Sequence, residues 1–240
     1  MGTPKIRLNL LARDVENAKQ ICSIADGRAL IGILVKGFAS VEAAITTVGQ
    51  YQQAGVPVSV GLGAGDPTQW KKVAEVAVQT QPDHVNQVFP AAGYTLGGLQ
   101  AVGNSHTIVN ALIAPGGQSG KVQVTTGPMS NKVSELLSCD AAAAMLAEIG
   151  VHSVKFYPVD GLERLNEIKA MAEAAVRYGI PVFEPTGGID TASIRQIVEV
   201  CLAAGAKQVI PHIYTSIVDK ETGLTRLDQV EELLAAIEGL

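Results

Sequence analysis

Cysteine is scarce in this sequence: three in 240 residues, at positions 22, 139 and 201, odd in number and far apart. That spacing gives neither a disulfide framework nor a CxxC thiolate metal site, and each cysteine falls in a helix-like stretch where it serves as a small apolar residue. Charge is thin as well, at 17% of residues, with a formal net charge of −5, a pI near 5.4 and no Lys/Arg cluster. A nucleic acid or an acidic membrane is therefore not the expected partner. No apolar run approaches the ~18 residues that span a bilayer. The start Met1-Gly2-Thr3-Pro4-Lys5 lacks an apolar signal core, so a cytoplasmic location is expected. HxH and HExxH pairs are absent, and no GxGxxG follows the first strand-like segment.

What is present is apolar and periodic. Hydrophobic residues make up 47% of the chain, enough for a large core. Ile6 to Leu11 alternates as a strand with Arg7 and Asn9 on its polar face, and a helix follows from an Asp14 cap to Gly27. Ala29 to Val35 is a continuous apolar run of the kind buried on both faces of a parallel sheet, and Ser40 opens the next helix. The unit recurs: strands at Val56–Gly61, His84–Val88, Thr107–Ile113, Ser153–Pro158, Pro181–Glu184 and Gln208–Ile213 alternate with helix-like segments, one of them started by Asp66-Pro67. Two places are irregular. The Gly93 to Gly103 segment reads as a weak helix at best, and Lys121 to Thr125 as a short extra strand, with the connection to Ser138 forming a lid or an interface arm. Eight strand–helix units without a biased linker predict a single (β/α)8 TIM barrel over residues 1–240, ahead of a doubly wound open sheet.

In a barrel, chemistry collects at the carboxyl ends of the strands. The polar residues there are Arg7 and Asn9, Lys36, Ser59 and Asp66, Asn86 and Gln87, Asn110, Lys155 and Tyr157, Glu184 and Thr186, then His212, Tyr214, Thr215 and Ser216. Arg7, Asn9, Lys36, Asn86 and Asn110 are candidate substrate ligands. Lys155 stands out because it interrupts an apolar strand, sharing a face with Ser153 and Tyr157. Burial would lower its pKa toward that of a nucleophilic amine; at a strand end it could equally snorkel to water. Thr186-Gly187-Gly188 follows the seventh strand, where glycines let backbone N–H groups approach a phosphate, and Thr215 and Ser216 would add hydroxyl donors.

Lys155-Phe156-Tyr157-Pro158 followed by Glu184-Pro185-Thr186-Gly187-Gly188-Ile189 resembles the motifs of the 2-keto-3-deoxy-6-phosphogluconate aldolases, class I barrel enzymes. Through Val60–Pro67, His84–Phe89 and Ile210–Tyr214 the chain is more closely similar to the separate bacterial 2-dehydro-3-deoxy-6-phosphogluconate (KDGP) aldolase branch. The resemblance implies Lys155 as Schiff-base lysine, Thr186 near the pyruvyl carboxylate and Gly187-Gly188 at the phosphate. It implies a phosphorylated keto-deoxy sugar acid as substrate, cleaved to pyruvate and glyceraldehyde 3-phosphate without cofactor or metal, and a homo-oligomer. One departure stands out: the better-known aldolases carry a general-base glutamate on the second strand, and none lies between Leu30 and Lys36. Glu184, Asp66 and His212 are the candidates for that proton shuttle. Glu184 could instead pair with Arg7 or Lys36, Asp66 could be only a helix cap, and His84 and His212 only satisfied core histidines. Two other readings stay open, a metal-dependent 4-hydroxy-2-oxo acid aldolase using His84, Asp66, Glu184 and His212 as ligands, and a noncatalytic sugar-phosphate-binding barrel.

Overall fold

The computed structural model describes residues 5–240. Eleven strands lie in chain order as β1 (Leu8–Leu11), β2 (Ala29–Leu34), β3 (Val58–Gly61), β4 (His84–Val88), β5 (Ile108–Pro115), β6 (Lys121–Gln123), β7 (Leu137–Ser138), β8 (Ser153–Phe156), β9 (Val182–Pro185), β10 (Gln208–Val209) and β11 (His212–Ile213). Eight helices accompany them: α1 (Val15–Ala25), α2 (Val41–Gln53), α3 (Trp70–Thr80), α4 (Ala92–Ala101), α5 (Cys139–Ile149), α6 (Leu165–Arg177), α7 (Ile194–Ala203) and α8 (Leu227–Ala236). None is long and apolar enough to cross a membrane.

β1 to β5, β8 and β9 pair in parallel, and β10 with β11 makes the eighth stave. Ile210-Pro211 splits that stave, since proline has no N–H to give the ladder. Its halves still join both neighbours: β10 pairs β9, β11 pairs β1, and the Asn9 amide donates to the Pro211 carbonyl at 3.0 Å. The result is a (β/α)8 barrel, as the eight sequence units predict.

Outward residues such as Leu8, Leu10, Val58, Val60, Val154, Phe156 and Phe183 pack beneath the helices in one hydrophobic cluster that runs from Ile6 to Ile237. Caps set the helix starts as the sequence anticipates. The Asp14 carboxylate accepts from the Asn17 amide, and the Ser40 hydroxyl accepts from the Ala43 amide.

α4 differs from its expectation, for it is a regular helix of ten residues. Its glycines lower the intrinsic propensity, but a Cβ on Gly98 would lie 2.8 Å from Val78 Cγ2 on α3. Close packing against α3, with Leu96 and Leu99 buried, outweighs the propensity cost of about 1 kcal/mol per glycine. The segment after β5 forms an antiparallel addition, β6 pairing with the end of β5 and β7 with β6.

Candidate active site

Side chains that face into a TIM barrel are usually branched and aliphatic. Here β1, β3, β4, β5, β8, β9 and β11 send Asn9, Ser59, His84, Asn86, Asn110, Ser153, Glu184 and His212 inward, all buried. Buried polar groups are tolerated only when each finds a partner, and these do.

Glu184 is the centre. Its Oε1 accepts from His84 Nε2 at 2.9 Å and from the Ser153 hydroxyl; its Oε2 accepts from Asn110 Nδ2 at 2.7 Å and from His212 Nε2 at 2.8 Å. The carboxylate is wholly enclosed. Burial pushes its pKa up, but the His84 imidazole and the hydrogen bonds from both histidines reverse that and hold it well below the usual range.

Hydrogen-bond inventory then fixes the tautomers. Ser59 Oγ accepts from Asn9 Nδ2 (2.8 Å) and Asn86 Nδ2 (2.9 Å), so its own hydrogen goes to His84 Nδ1 at 2.8 Å. His84 therefore donates through Nε2. His212 likewise gives its Nε2 hydrogen to Glu184, which leaves Nδ1 as an acceptor.

Lys155 stands above this network. Its Nζ donates to Asn86 Oδ1 at 3.0 Å and to His212 Nδ1 at 3.1 Å. Asn110 Nδ2 supplies a second donor to Asn86 Oδ1, at 2.9 Å, and so fixes that amide. Burial drives the Lys155 pKa down to about 8, only partly offset by the Glu184 charge. The same burial, with the lysine beside it, lowers His212 to about 3 and keeps its ring neutral. Tyr214 closes the group: its hydroxyl donates to Asn9 Oδ1 at 3.2 Å and lies 3.3 Å from His212 Nδ1.

The amine opens into a cavity of about 350 Å³. Its floor is Asn86, Lys155, His212 and Tyr214; its walls are apolar at Leu11, Leu34, Leu62 and Leu112. Among the described residues, Lys155 is the one lysine, arginine, aspartate or glutamate that lines the cavity. On the side of the β9 and β11 loops, the backbone N–H groups of Gly188, Ile189, Thr215 and Ser216 donate to no acceptor among the described residues. Gly187 and Gly188 take φ of 105° and 69°, and a Cβ on Gly188 would lie 2.7 Å from the Gly161 nitrogen, so only glycine fits. Ser216 donates its hydroxyl to the Ile189 carbonyl at 2.7 Å, tying the two loops together.

Of the candidates named from sequence, Lys155, Asn86, Thr186, Gly187, Gly188, His212, Thr215 and Ser216 line the cavity. Asn9, Asn110 and Glu184 lie beneath it in the hydrogen-bonded network. Lys36 and Asp66 lie outside the cavity lining, paired with each other at 3.0 Å across the turns after β2 and β3. The Asp66 pKa is pushed down to about 2 by hydrogen bonds from Thr68 and then Lys36, and its carboxylate caps the turn at Pro67. Arg7 sits below Asn9, its amide bonded to Val209, its guanidinium away from the cavity and its Nε unpaired. Sequence reasoning passed over the four leucines of the wall, although strand parity places Leu11 with Asn9 and Leu112 with Asn110. No group of three or more His, Cys, Asp or Glu among the described residues is arranged to hold a metal ion.

Two solved structures share the fold at low sequence identity. Phosphoribosyl anthranilate isomerase from Thermococcus kodakaraensis matches with a TM-score of 0.60 at 12% identity, covering 98% of this chain and 99% of that one. A 3-hexulose-6-phosphate synthase matches at 0.58 and 17%, covering 98% and 100%. A much nearer relative is a 2-dehydro-3-deoxy-phosphogluconate aldolase of Salmonella typhimurium, 41% identical over 237 residues, which is 98% of this chain and 96% of that protein. The KDGP aldolase family model matches residues 3–221, and the chain belongs to that family.

Proposed function

We propose that this protein is a class I aldolase that cleaves 2-dehydro-3-deoxy-6-phosphogluconate to pyruvate and glyceraldehyde 3-phosphate. The observation that carries the reading is Lys155: a primary amine with a pKa lowered to about 8, at the floor of an enclosed cavity. Near neutral pH a usable fraction is unprotonated, as attack on a ketone requires. The name of the 41% identical relative supports the substrate.

The amine adds to the C2 ketone and loses water to give an iminium. The C3–C4 bond breaks with its electron pair moving toward the iminium nitrogen. The C4 hydroxyl loses its proton, the aldehyde leaves, and the enamine of pyruvate remains. Protonation at C3 and hydrolysis release pyruvate and restore the amine. Among the three candidate shuttles, Glu184 is enclosed by four donors and Asp66 is engaged outside the cavity wall, whereas His212 presents Nδ1 to the cavity floor. We therefore give His212 the proton and Glu184 the task of orienting its ring. Thr186 takes the pyruvyl carboxylate. The free N–H groups of Gly188, Ile189, Thr215 and Ser216 take the phosphate, which fixes the far end of the substrate over Lys155.

Borohydride added with pyruvate is expected to add the corresponding mass to Lys155, located by peptide mass spectrometry. An unmodified Lys155, or trapping at Lys36, would refute the assignment. A homo-oligomer belongs to the same reading, supported by the exposed apolar side chains of Tyr94, Met129 and Val133, and sedimentation velocity tests it. A phosphorylated sugar acid as substrate also favours a cytoplasmic place of work.

A further inference from the structure

We propose that Tyr214 is a catalytic residue, its phenolic hydroxyl contacting the reacting oxygen and carbon and passing the proton to and from His212. The inference rests on the aldolase reading above and adds to it the group that touches substrate.

The geometry starts at Gly32. This is an inward position of β2, on the same face as Leu34, and it presents no side chain: a Cβ there would lie 3.3 Å from Tyr214 Oη, 3.4 Å from Asn9 Oδ1 and 3.2 Å from Leu11 Cδ2. The space that a second-strand side chain would fill is thus held by the tyrosine hydroxyl, reaching across from the loop after β11. The ring stands beside the nucleophile, with Lys155 Nζ 5.9 Å from its centroid. The hydroxyl has two polar neighbours, Asn9 Oδ1 at 3.2 Å and His212 Nδ1 at 3.3 Å, and Tyr214 lines the cavity. It is therefore at the end of a chain that runs from cavity to Tyr214, to His212 Nδ1, through the ring to Nε2–H, and to the buried Glu184.

In the resting site His212 Nδ1 is occupied by Lys155 at 3.1 Å. The iminium nitrogen keeps a single hydrogen; with that hydrogen given to Asn86 Oδ1, Nδ1 becomes free for the tyrosine. In the cleavage step the C4 hydroxyl gives its proton to Tyr214 Oη as the phenol gives its own to His212 Nδ1. The imidazolium so formed is stabilised by Glu184 through Nε2–H. In the next step the transfers reverse toward carbon: His212 returns its proton to Tyr214, and the phenol protonates enamine C3. One proton leaves O4 and one arrives at C3, so the relay ends as it began. Burial and the Glu184 charge raise the phenol pKa, so Tyr214 enters each turnover protonated. A free tyrosinate base is excluded at neutral pH, and the concerted exchange with His212 is the route that remains.

The test is Tyr214→Phe, followed by two readouts that need only pyruvate. Borohydride trapping reports imine formation at Lys155, and loss of the C3 hydrogens of pyruvate into D2O, seen by proton NMR, reports proton transfer at carbon. The expected result is trapping at the wild-type level with C3 exchange and aldol cleavage slowed on the order of 10²-fold or more, the usual worth of a positioned acid–base group. A second variant, Gly32→Ala, pushes the hydroxyl aside while leaving it in place chemically, and is expected to slow exchange by a smaller factor with trapping intact. Exchange and cleavage within a few fold of wild type in Tyr214→Phe would overturn the proposal. So would loss of trapping in that variant, which would place the tyrosine in imine formation instead. Wild-type enzyme that exchanges C3 without trapping at Lys155 would refute the Schiff-base reading itself, and this one with it.

Discussion

Lys155→Met should make the protein more stable and inactive at once. The folded chain depresses the lysine from its ordinary 10.5 to about 8. That is about 2.5 pH units at about 1.36 kcal/mol each, or up to about 3 kcal/mol of cost for holding the ammonium in place at neutral pH. The unfolded chain keeps this proton up to about pH 10, the folded chain only to about 8, so between those values unfolding takes up a proton and raising the pH favours the folded state. Below pH 8 both states are protonated and the whole cost applies. Methionine has no charge to desolvate, and the acceptors it abandons have other donors within reach: Asn86 Oδ1 retains Asn110, and the Tyr214 hydroxyl, 3.3 Å from His212 Nδ1, can turn its hydrogen from Asn9 Oδ1 to that nitrogen. The variant should therefore gain up to about 3 kcal/mol at pH 6, which is up to roughly 6–12 °C in Tm for a chain of this length. The gain should shrink steadily from pH 8 and vanish near pH 10.5. Paired urea melts of wild type and variant across that range measure it. A variant no more stable than wild type at pH 6, or a difference that stays constant up to pH 10, would show that the lysine is not held as a costly cation.

Glu184→Gln places an amide group against two donors whichever way it turns, and should destabilise by about 3–5 kcal/mol, as removal of one partner from a buried charged network does. Because the Glu184 charge raises the Lys155 pKa, the same variant should move the acid limb of imine trapping to lower pH; an unmoved limb would count against that electrostatic link. Gly188→Ala forces a side chain to φ +69° and 2.7 Å from Gly161 N. KM for the phosphorylated substrate should rise on the order of tenfold, the worth of about 1.4 kcal/mol, with pyruvate trapping unchanged. Gly98→Ala drives its Cβ against Val78 Cγ2 and should cost about 1–3 kcal/mol by overpacking, part of it recovered in the double variant with Val78→Ala.

The barrel was legible in the sequence because each strand–helix unit carries its own punctuation. Asp14, Ser40 and Asp66-Pro67 are local signals for local events, and the apolar run from Ala29 to Val35 announces a strand covered on both faces. Alternation alone put Lys155 and Ser153 on one face and Val154 and Phe156 on the other, as the structure has them. The depth of Glu184 was not legible. Parity says that it faces inward, but its level in the barrel depends on the stagger of eight strands. Its four donors come from β4, β5, β8 and β11, spread over more than a hundred residues. The fate of the Gly93–Gly103 segment was hidden for a similar reason, since the contact that rewards Gly98 is with Val78 on another helix.

The site joins one buried carboxylate and one amine without letting them touch, and that separation decides what each can do. Lys155 and Glu184 are register partners on adjacent strands, close enough for a direct ion pair to be the obvious outcome. A direct pair would favour the charged lysine and raise its pKa, removing the nucleophile. Instead Glu184 is saturated by His84, Ser153, Asn110 and His212, while Lys155 meets neutral acceptors, Asn86 Oδ1 and His212 Nδ1. The carboxylate charge reaches the amine only through space and through the His212 ring, which offsets part of the desolvation and leaves the pKa near 8 rather than lower. Substituting Asn86 or Asn110 would open the network and let Glu184 turn toward the lysine. On this reasoning the two asparagines protect the amine from its own counter-ion.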